Sequence, residues 1–212
     1  MRGMRHLVWS SVAVLLLSGA LSALPVRTFD QDALDVLPSG FSVQPVGGAM
    51  GRWFVRGEQG NRYLAHAPDS ARAGQSLALL DAAVTGTFRA SVRMRLTDGR
   101  QAGLVWRFVD ASNYFQATLD LAKQELALYR VVSGTLIKIE GEDDLELDPA
   151  AWHVMTIRQD RERVRIYLGG ISVLRSRTRE MDSAGRVGVW SSGATTAAFD
   201  DLRVEDGPGR GR

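Results

Sequence analysis

The sequence contains no cysteine. That excludes a disulfide, a thiolate nucleophile, a zinc–thiolate centre and a lipid-modified cysteine. An exported domain of this length can do without disulfides, because its core is large enough to hold it folded. Histidine is nearly as scarce, with only His6, His66 and His153. His6 falls in a targeting-type segment and the other two are far apart, so a histidine metal centre or a Ser-His-Asp triad lacks its parts. His153, beside Trp152 in a strand pattern, reads as an ordinary surface or half-buried residue. Lysine is confined to Lys123 and Lys138, and the remaining basic residues are arginines. No basic block stands out, so the sequence pI near 9.3 does not indicate nucleic-acid affinity. No stretch has convincing helical periodicity.

What is present is enough to fold. The chain has 212 residues, 45% of them hydrophobic, with 22 glycines and 6 prolines to punctuate turns. It suits one all-β domain preceded by a targeting segment. Arg2 and Arg5 precede the apolar run LVWSSVAVLLLSGALSA, residues 7–23, which ends in small residues. This is the pattern of a signal peptide, cleaved after Ala20 or Ser22. The run is short for a membrane span and interrupted by Ser and Gly. The expected layout is a signal peptide at 1–23, a domain at 24–204 and a disordered tail at 205–212. The domain is then exported, periplasmic or extracellular, and meets a membrane only through an uncleaved leader. Without Arg2 and Arg5 the 26 basic residues become 24, against 24 acidic ones.

Strand signals dominate the rest. TFRASVRMRL alternates strictly, with Phe88, Ala90, Val92, Met94 and Leu96 facing one way and arginines, Thr87 and Ser91 the other. That is a half-buried antiparallel strand. QAGLVWRFV follows, with Leu104, Trp106 and Phe108 on one face and Val105, Arg107 and Val109 on the opposite one. In YFQATLDL, Phe115, Ala117, Leu119 and Leu121 oppose Tyr114, Gln116, Thr118 and Asp120. About a dozen short strands with regular turn signals are expected, beginning with a short one at Phe29-Asp30. So many antiparallel strands close as a two-sheet sandwich or jelly roll.

The succession AGLVWRFVDASNYFQATLD, LALYRVVSGTLIKI, AWHVMTIRQDRERVRIYLGG and GRVGVWSSGATTAAFDDLRV resembles the concanavalin A-like lectin/glucanase superfamily. Within it the chain is most similar to laminin-G-like domains and to the 3-keto-disaccharide hydrolase family. The likeness runs from about Phe29 to Val204. It implies two large curved antiparallel sheets, the concave one carrying a carbohydrate site in relatives. Where relatives have Asp-Gly after the strand matching VRIYL, this chain has Gly169-Gly170, so that aspartate is absent.

Three constellations bear on chemistry. Arg107, Tyr114 and Gln116, on adjacent strands, suit a sugar platform, since sugars need planar donors and acceptors and an aromatic for their C–H faces. The same residues also suit a cross-strand cluster that only supports the sheet. Trp190, in GRVGVWSS, points away from Val187 and Val189, beside Gly188. It is either a stacking partner for a ligand or a tryptophan covered by its neighbours. In FDDLRV, alternation sets Phe199, Asp201 and Arg203 against Asp200, Leu202 and Val204, so one aspartate shares the side of an apolar residue. Its charge is met by a calcium ion with Asp30, Asp200 and Asp201 as oxygen ligands, or by a hydrogen bond to backbone or arginine. Trp53 sits in a less regular stretch that leaves room for exposure, and Asp143, Asp144, Glu146 and Asp148 read as a solvated loop. The compact Glu-x-Asp-x-x-Glu motif of retaining glucanases is missing, and no catalytic residue is assigned. The expected function is binding of a glycan or oligosaccharide. A 3-keto-disaccharide-type glycoside hydrolase and a structural or protein-interaction module of the envelope are the alternatives.

Overall fold

The alternating segment around Val92 forms the strand on which one half of the molecule is built. In the computed structural model, which describes residues 26–48, 50–68, 74–178 and 184–207, this strand runs Phe88–Asp98 with every second side chain buried. The leader expected at 1–23 lies outside the described residues. Fourteen strands and no helix occur among those that are described.

Two antiparallel seven-stranded sheets pack face to face as a jelly-roll sandwich. Sheet I contains, in spatial order, β1 (Phe41–Val46), β4 (Gln75–Val84), β13 (Gly185–Ser192), β6 (Gln101–Asp110), β7 (Asn113–Asp120), β8 (Glu125–Val132) and β9 (Thr135–Glu142). Sheet II contains β12 (Ile171–Arg177), β11 (Arg163–Leu168), β10 (His153–Asp160), β5 (Phe88–Asp98), β14 (Thr196–Asp206), β3 (Asn61–Ala67) and β2 (Arg52–Glu58). Between them Leu104, Trp106, Phe115 and Leu119 of sheet I meet Val92, Met94, Ile157 and Phe199 of sheet II in one continuous core. Trp106 is wholly buried, and its indole nitrogen donates to Gln159 Oε1 at 2.9 Å, tying β6 to β10 across the core. A buried indole N–H needs such a partner.

Two bulges change which face a side chain reaches. In β6, Arg107 takes a left-handed φ of 49°, and the pairing with β7 slips between Trp106 and Asp110. One extra residue re-aims everything after it. Phe108 therefore leaves the face of Leu104 and Trp106 and joins a second cluster on the opposite side of the sheet, with Val105 and Tyr114. In β14 the slip falls between Asp200 and Arg203, at Asp201 with φ of 50°. Phe199, Leu202 and Val204 then all reach the core. Simple alternation had split these three.

Three smaller expectations are corrected. Phe29-Asp30 is not a strand: Arg27 makes an isolated bridge to Leu202, and Phe29 turns with φ of 62° into the core. Trp53 is not exposed but packs on His66 and Phe199. The domain does not stop at Val204, because β14 continues to Asp206, and Gly207 N donates to Thr87 O. The tail beyond Gly207 lies outside the described residues.

Candidate functional site

The outer face of sheet I gathers three of the four residues expected to bind a ligand. Register places them in rows. Leu77, Trp190, Gly103 and Thr118 stand opposite one another across β4, β13, β6 and β7. The next row holds Leu79, Gly188, Val105, Gln116 and Tyr129. Tyr114 follows on β7, opposite Val131. Sequence alternation predicted both faces of β7, but burial departs from it: from Tyr114 to Asp120 every residue is buried, on the outer face as well as the inner one.

Trp190 is the floor of this face. It lies across β6, and its indole N–H donates to Ala117 O of β7 at 3.0 Å. Gly103 makes this possible, since a Cβ there would come within 3.1 Å of the indole nitrogen and 1.9 Å of Ala117 O. At 1% exposure Trp190 is covered by its surroundings. The glycine beside it leaves no ligand space either, because a Cβ on Gly188 would meet Ala78 O of β4 at 2.1 Å.

Tyr114 packs at a tilt against Phe108, 5.6 Å between centroids, and donates its hydroxyl to Gln75 Oε1 at 3.1 Å. Gln75 lies on β4, with β13 and β6 in between. In a flat sheet those strands are about 14 Å apart, so this bond spans the face and closes over it. Burial pushes the Tyr114 phenol up to about 12, leaving it a neutral donor at any physiological pH. Gln116 has the most informative environment. Its amide nitrogen donates to Thr118 Oγ1 at a long 3.4 Å, while Oε1 is buried with no partner among the described residues. A buried, unpaired acceptor costs about 1–3 kcal/mol.

Arg107 does not share this face. The bulge carries its side chain to the end of the sandwich, where Nη2 donates to Gly86 O at 2.9 Å, and the residue is 1% exposed. Its separation from Tyr114 and Gln116 follows from its own left-handed backbone, which no glycine in the sequence announces.

The face also holds two carboxylates that alternation did not single out. Asp120 and Glu125 are direct cross-strand partners on β7 and β8. Asp120 Oδ1 accepts from the Ala122 and Lys123 amides at 3.0 and 3.1 Å, and Oδ2 from Gln101 Nε2 at 2.7 Å. Glu125 is ion-paired with Lys138 of β9. The four-residue turn LAKQ between their strands was the available signal, since a short hairpin puts its flanking residues opposite each other. Burial first, and then the Glu125 charge, holds the Tyr129 phenol above its ordinary value.

The three aspartates expected to hold calcium do not fit it. Asp200 is buried on sheet II. Its Oδ2 accepts from Asn61 Nδ2 at 3.0 Å and faces Arg93 Nη2 at 3.6 Å, and its Oδ1 accepts from Asp201 N at 2.8 Å. Asp30 Oδ1 is taken by the Arg62 amide at 3.0 Å, and Asp201 is exposed at the bulge. Among the described residues no three His, Cys, Asp or Glu side chains converge as a metal site. The buried aspartate therefore has hydrogen-bond and arginine partners. Desolvation still raises its pKa. The acidic loop is solvated at Asp143, Asp144, Glu146 and Asp148, with Leu147 as its buried anchor.

No family model and no curated protein matches the chain. Solved structures do. The carbohydrate binding module CBM66 from Bacillus subtilis is similar over 82% of this chain and 99% of its own, at 18% identity and a TM-score of 0.65. A Bacillus subtilis protein of unknown function with a galectin-like fold aligns over 87% and 96%, at 12% identity and a TM-score of 0.65. The VIP36 exoplasmic/lumenal domain, in a Ca2+/Man-bound form, aligns over 91% and 93%, at 10% identity and a TM-score of 0.63. At these identities the likeness establishes the fold, a lectin-type sandwich, and nothing about the ligand.

Proposed function

We propose that the chain is an exported glycan-binding module whose site is the outer face of sheet I. Gln116 is its central acceptor, Tyr114 lines and closes its edge through the bond to Gln75, and Trp190 is its floor. The observation that carries this reading is the buried, unpaired Gln116 Oε1 amid an otherwise hydrogen-bonded and apolar face. A sugar hydroxyl is a neutral donor of the right kind to satisfy it. Access requires the Tyr114–Gln75 bond to part, so binding exchanges one neutral bond for bonds to the ligand. The neighbouring structures support the class, since CBM66 is a carbohydrate binding module, the Emp47p domain is a carbohydrate recognition domain and the VIP36 domain is in a Ca2+/Man-bound form. Export rests on the leader at 1–23. The aspartates do not assemble a calcium site, so binding is expected to be equal with calcium and with chelator.

A glycan-array screen of residues 24–207, followed by titration of Gln116→Leu with any hit, tests this reading. The substitution removes an unsatisfied acceptor, so stability should hold or rise while binding falls by roughly tenfold or more. A blank array, or equal binding by the variant, contradicts it.

A second reading has one observation in its favour. The Asp120–Glu125 pair faces the same side of the sheet, with Cβ atoms about 4.5–5.5 Å apart by cross-strand geometry. Retaining glycosidases hold two carboxyls at about that spacing. A 3-keto-disaccharide-type hydrolase built on it requires turnover that Glu125→Gln abolishes. Against it, both carboxylates are already committed to structural partners.

A further inference from the structure

The outer face of sheet II carries a feature that the glycan site of sheet I does not use. Strand register aligns four arginines directly across four adjacent strands: Arg89 of β5 opposite Arg158 of β10, Arg158 opposite Arg165 of β11, and Arg165 opposite Arg175 of β12. Arg163 and Arg177 form a second such pair one row away. Like charges set directly opposite destabilise a sheet. All four residues of the row are exposed, and none makes an ion pair with a described residue. The fold therefore tolerates a self-repelling row about 14 Å long at ordinary strand spacing.

The row is not a plain convex patch. Arg89, Arg158, Arg161, Arg163 and Arg165 line a cleft of about 630 Å³ at the end of the sheet. Asp160, Glu205 and Asp206 line it as well, with Asp160 directly opposite Arg163 in the register. Glu205 pairs in register with Arg89, but its carboxylate lies 3.5 Å from Arg203 Nη1. Beside the row, Arg158 stands 6.0 Å over the Tyr167 ring, and its hydrogen bond lowers the Tyr167 pKa.

We infer that this arginine row is an anion-binding cleft for an acidic oligosaccharide, one bearing carboxylate or sulfate groups along its length. Guanidinium forks match such groups in bidentate geometry. The anion supplies the counter-charge that the row lacks. The composition of the cleft selects among polyanions. The carboxylates set among its arginines accept hydrogen bonds from hydroxyls but repel a continuous line of phosphates, which disfavours nucleic acid. A membrane surface is flat and cannot follow arginines into a cleft. A sugar chain with separated acidic groups and free hydroxyls suits both the arginines and the carboxylates between them. This site is independent of the sheet I face, and either can fail without the other.

The test is direct binding of full-length mature protein to heparin and polygalacturonate oligomers, with a neutral maltooligosaccharide and phosphatidylglycerol vesicles as comparison probes. Binding of an acidic oligomer that weakens with salt is expected. The Arg158→Gln/Arg165→Gln double variant should bind roughly tenfold more weakly or worse. An Arg56→Gln/Arg100→Gln variant removes the same charge elsewhere and should bind as wild type. Equal loss in both variants reduces the effect to net charge and overturns the inference. So does binding to vesicles without binding to oligomers, or no binding to either acidic oligomer. Gln116→Leu should leave acidic-oligomer binding intact, which separates this outcome from the fate of the sheet I reading.

Discussion

The two outer faces of the sandwich solve opposite problems. That of sheet II is wetter: beside a small apolar cluster of Tyr63, Ala65, Ala198 and Trp152, β5 alternates buried and polar residues, and its arginines reach solvent or lie on Trp152, with Arg93 and Arg95 at 4.4 and 5.0 Å from the ring. That of sheet I is closed: Leu77, Leu79, Val105, Tyr114 and Trp190 form a second apolar cluster under the Tyr114–Gln75 bond. An exposed face must manage charge, whereas a covered one must satisfy its polar atoms. Each face has a place where its own problem is left unsolved. On sheet I it is the Gln116 carbonyl, and on sheet II the arginine row. The two proposed sites are placed at these points.

Substitutions can break this contrast. The largest effect is expected at Trp190→Ala, which empties a covered site and removes the bond to Ala117 O. It should lose about 3–5 kcal/mol in denaturant unfolding. The exposed-face counterpart, Trp152→Ala, should lose clearly less, and equal losses would show that the two faces are alike. Tyr114→Phe removes the bond to Gln75 and nothing else, so it should destabilise by about 0.5–1.5 kcal/mol and ease entry of a sugar. Unchanged stability would mean that the bridge does not hold the face shut. The smallest effect is on sheet II: Arg158→Gln should leave the thermal midpoint unchanged or raise it, because it relieves repulsion. A marked drop would place Arg158 in the structural frame instead.

A pH scan separates both faces from the interior. His66 is wholly buried, with Nδ1 donating to Thr195 O at 2.7 Å and the Trp53 ring 4.7 Å away. Burial lowers its pKa. The neutral form is the one the fold accepts, so its contribution is intact above the unfolded value near 6.5. As pH falls below that value the unfolded chain takes up the proton first, and stability declines until the folded pKa is passed. His66→Gln should flatten the slope below pH 6.5 if that variant folds, and an unchanged slope would assign it to other groups.

The fold was legible because alternation survives in β5 and because turn signals recur between strands. The sites were legible only where no bulge intervened. Trp190, Tyr114 and Gln116 share a face as their spacing predicts. Arg107 and Phe108 do not follow, since the left-handed residue that re-aims them is an arginine and not a glycine. The same holds at Asp201, where a bulge moves Leu202 into the core and undoes the aspartate argument for calcium. The arginine row was invisible for a different reason. Arg89, Arg158, Arg165 and Arg175 are ordinary outward positions one strand at a time, and only register brings them side by side.

The glycan-binding claim is most directly tested by a two-dimensional amide NMR titration of the mature domain with its best glycan, following side-chain N–H signals. The account predicts that the Gln116 amide and the Trp190 indole signals move together and saturably, with Tyr114→Phe shifting the midpoint toward tighter binding. Movement confined to β10 and β11, or to loop amides, while Gln116 and Trp190 stay fixed would contradict it.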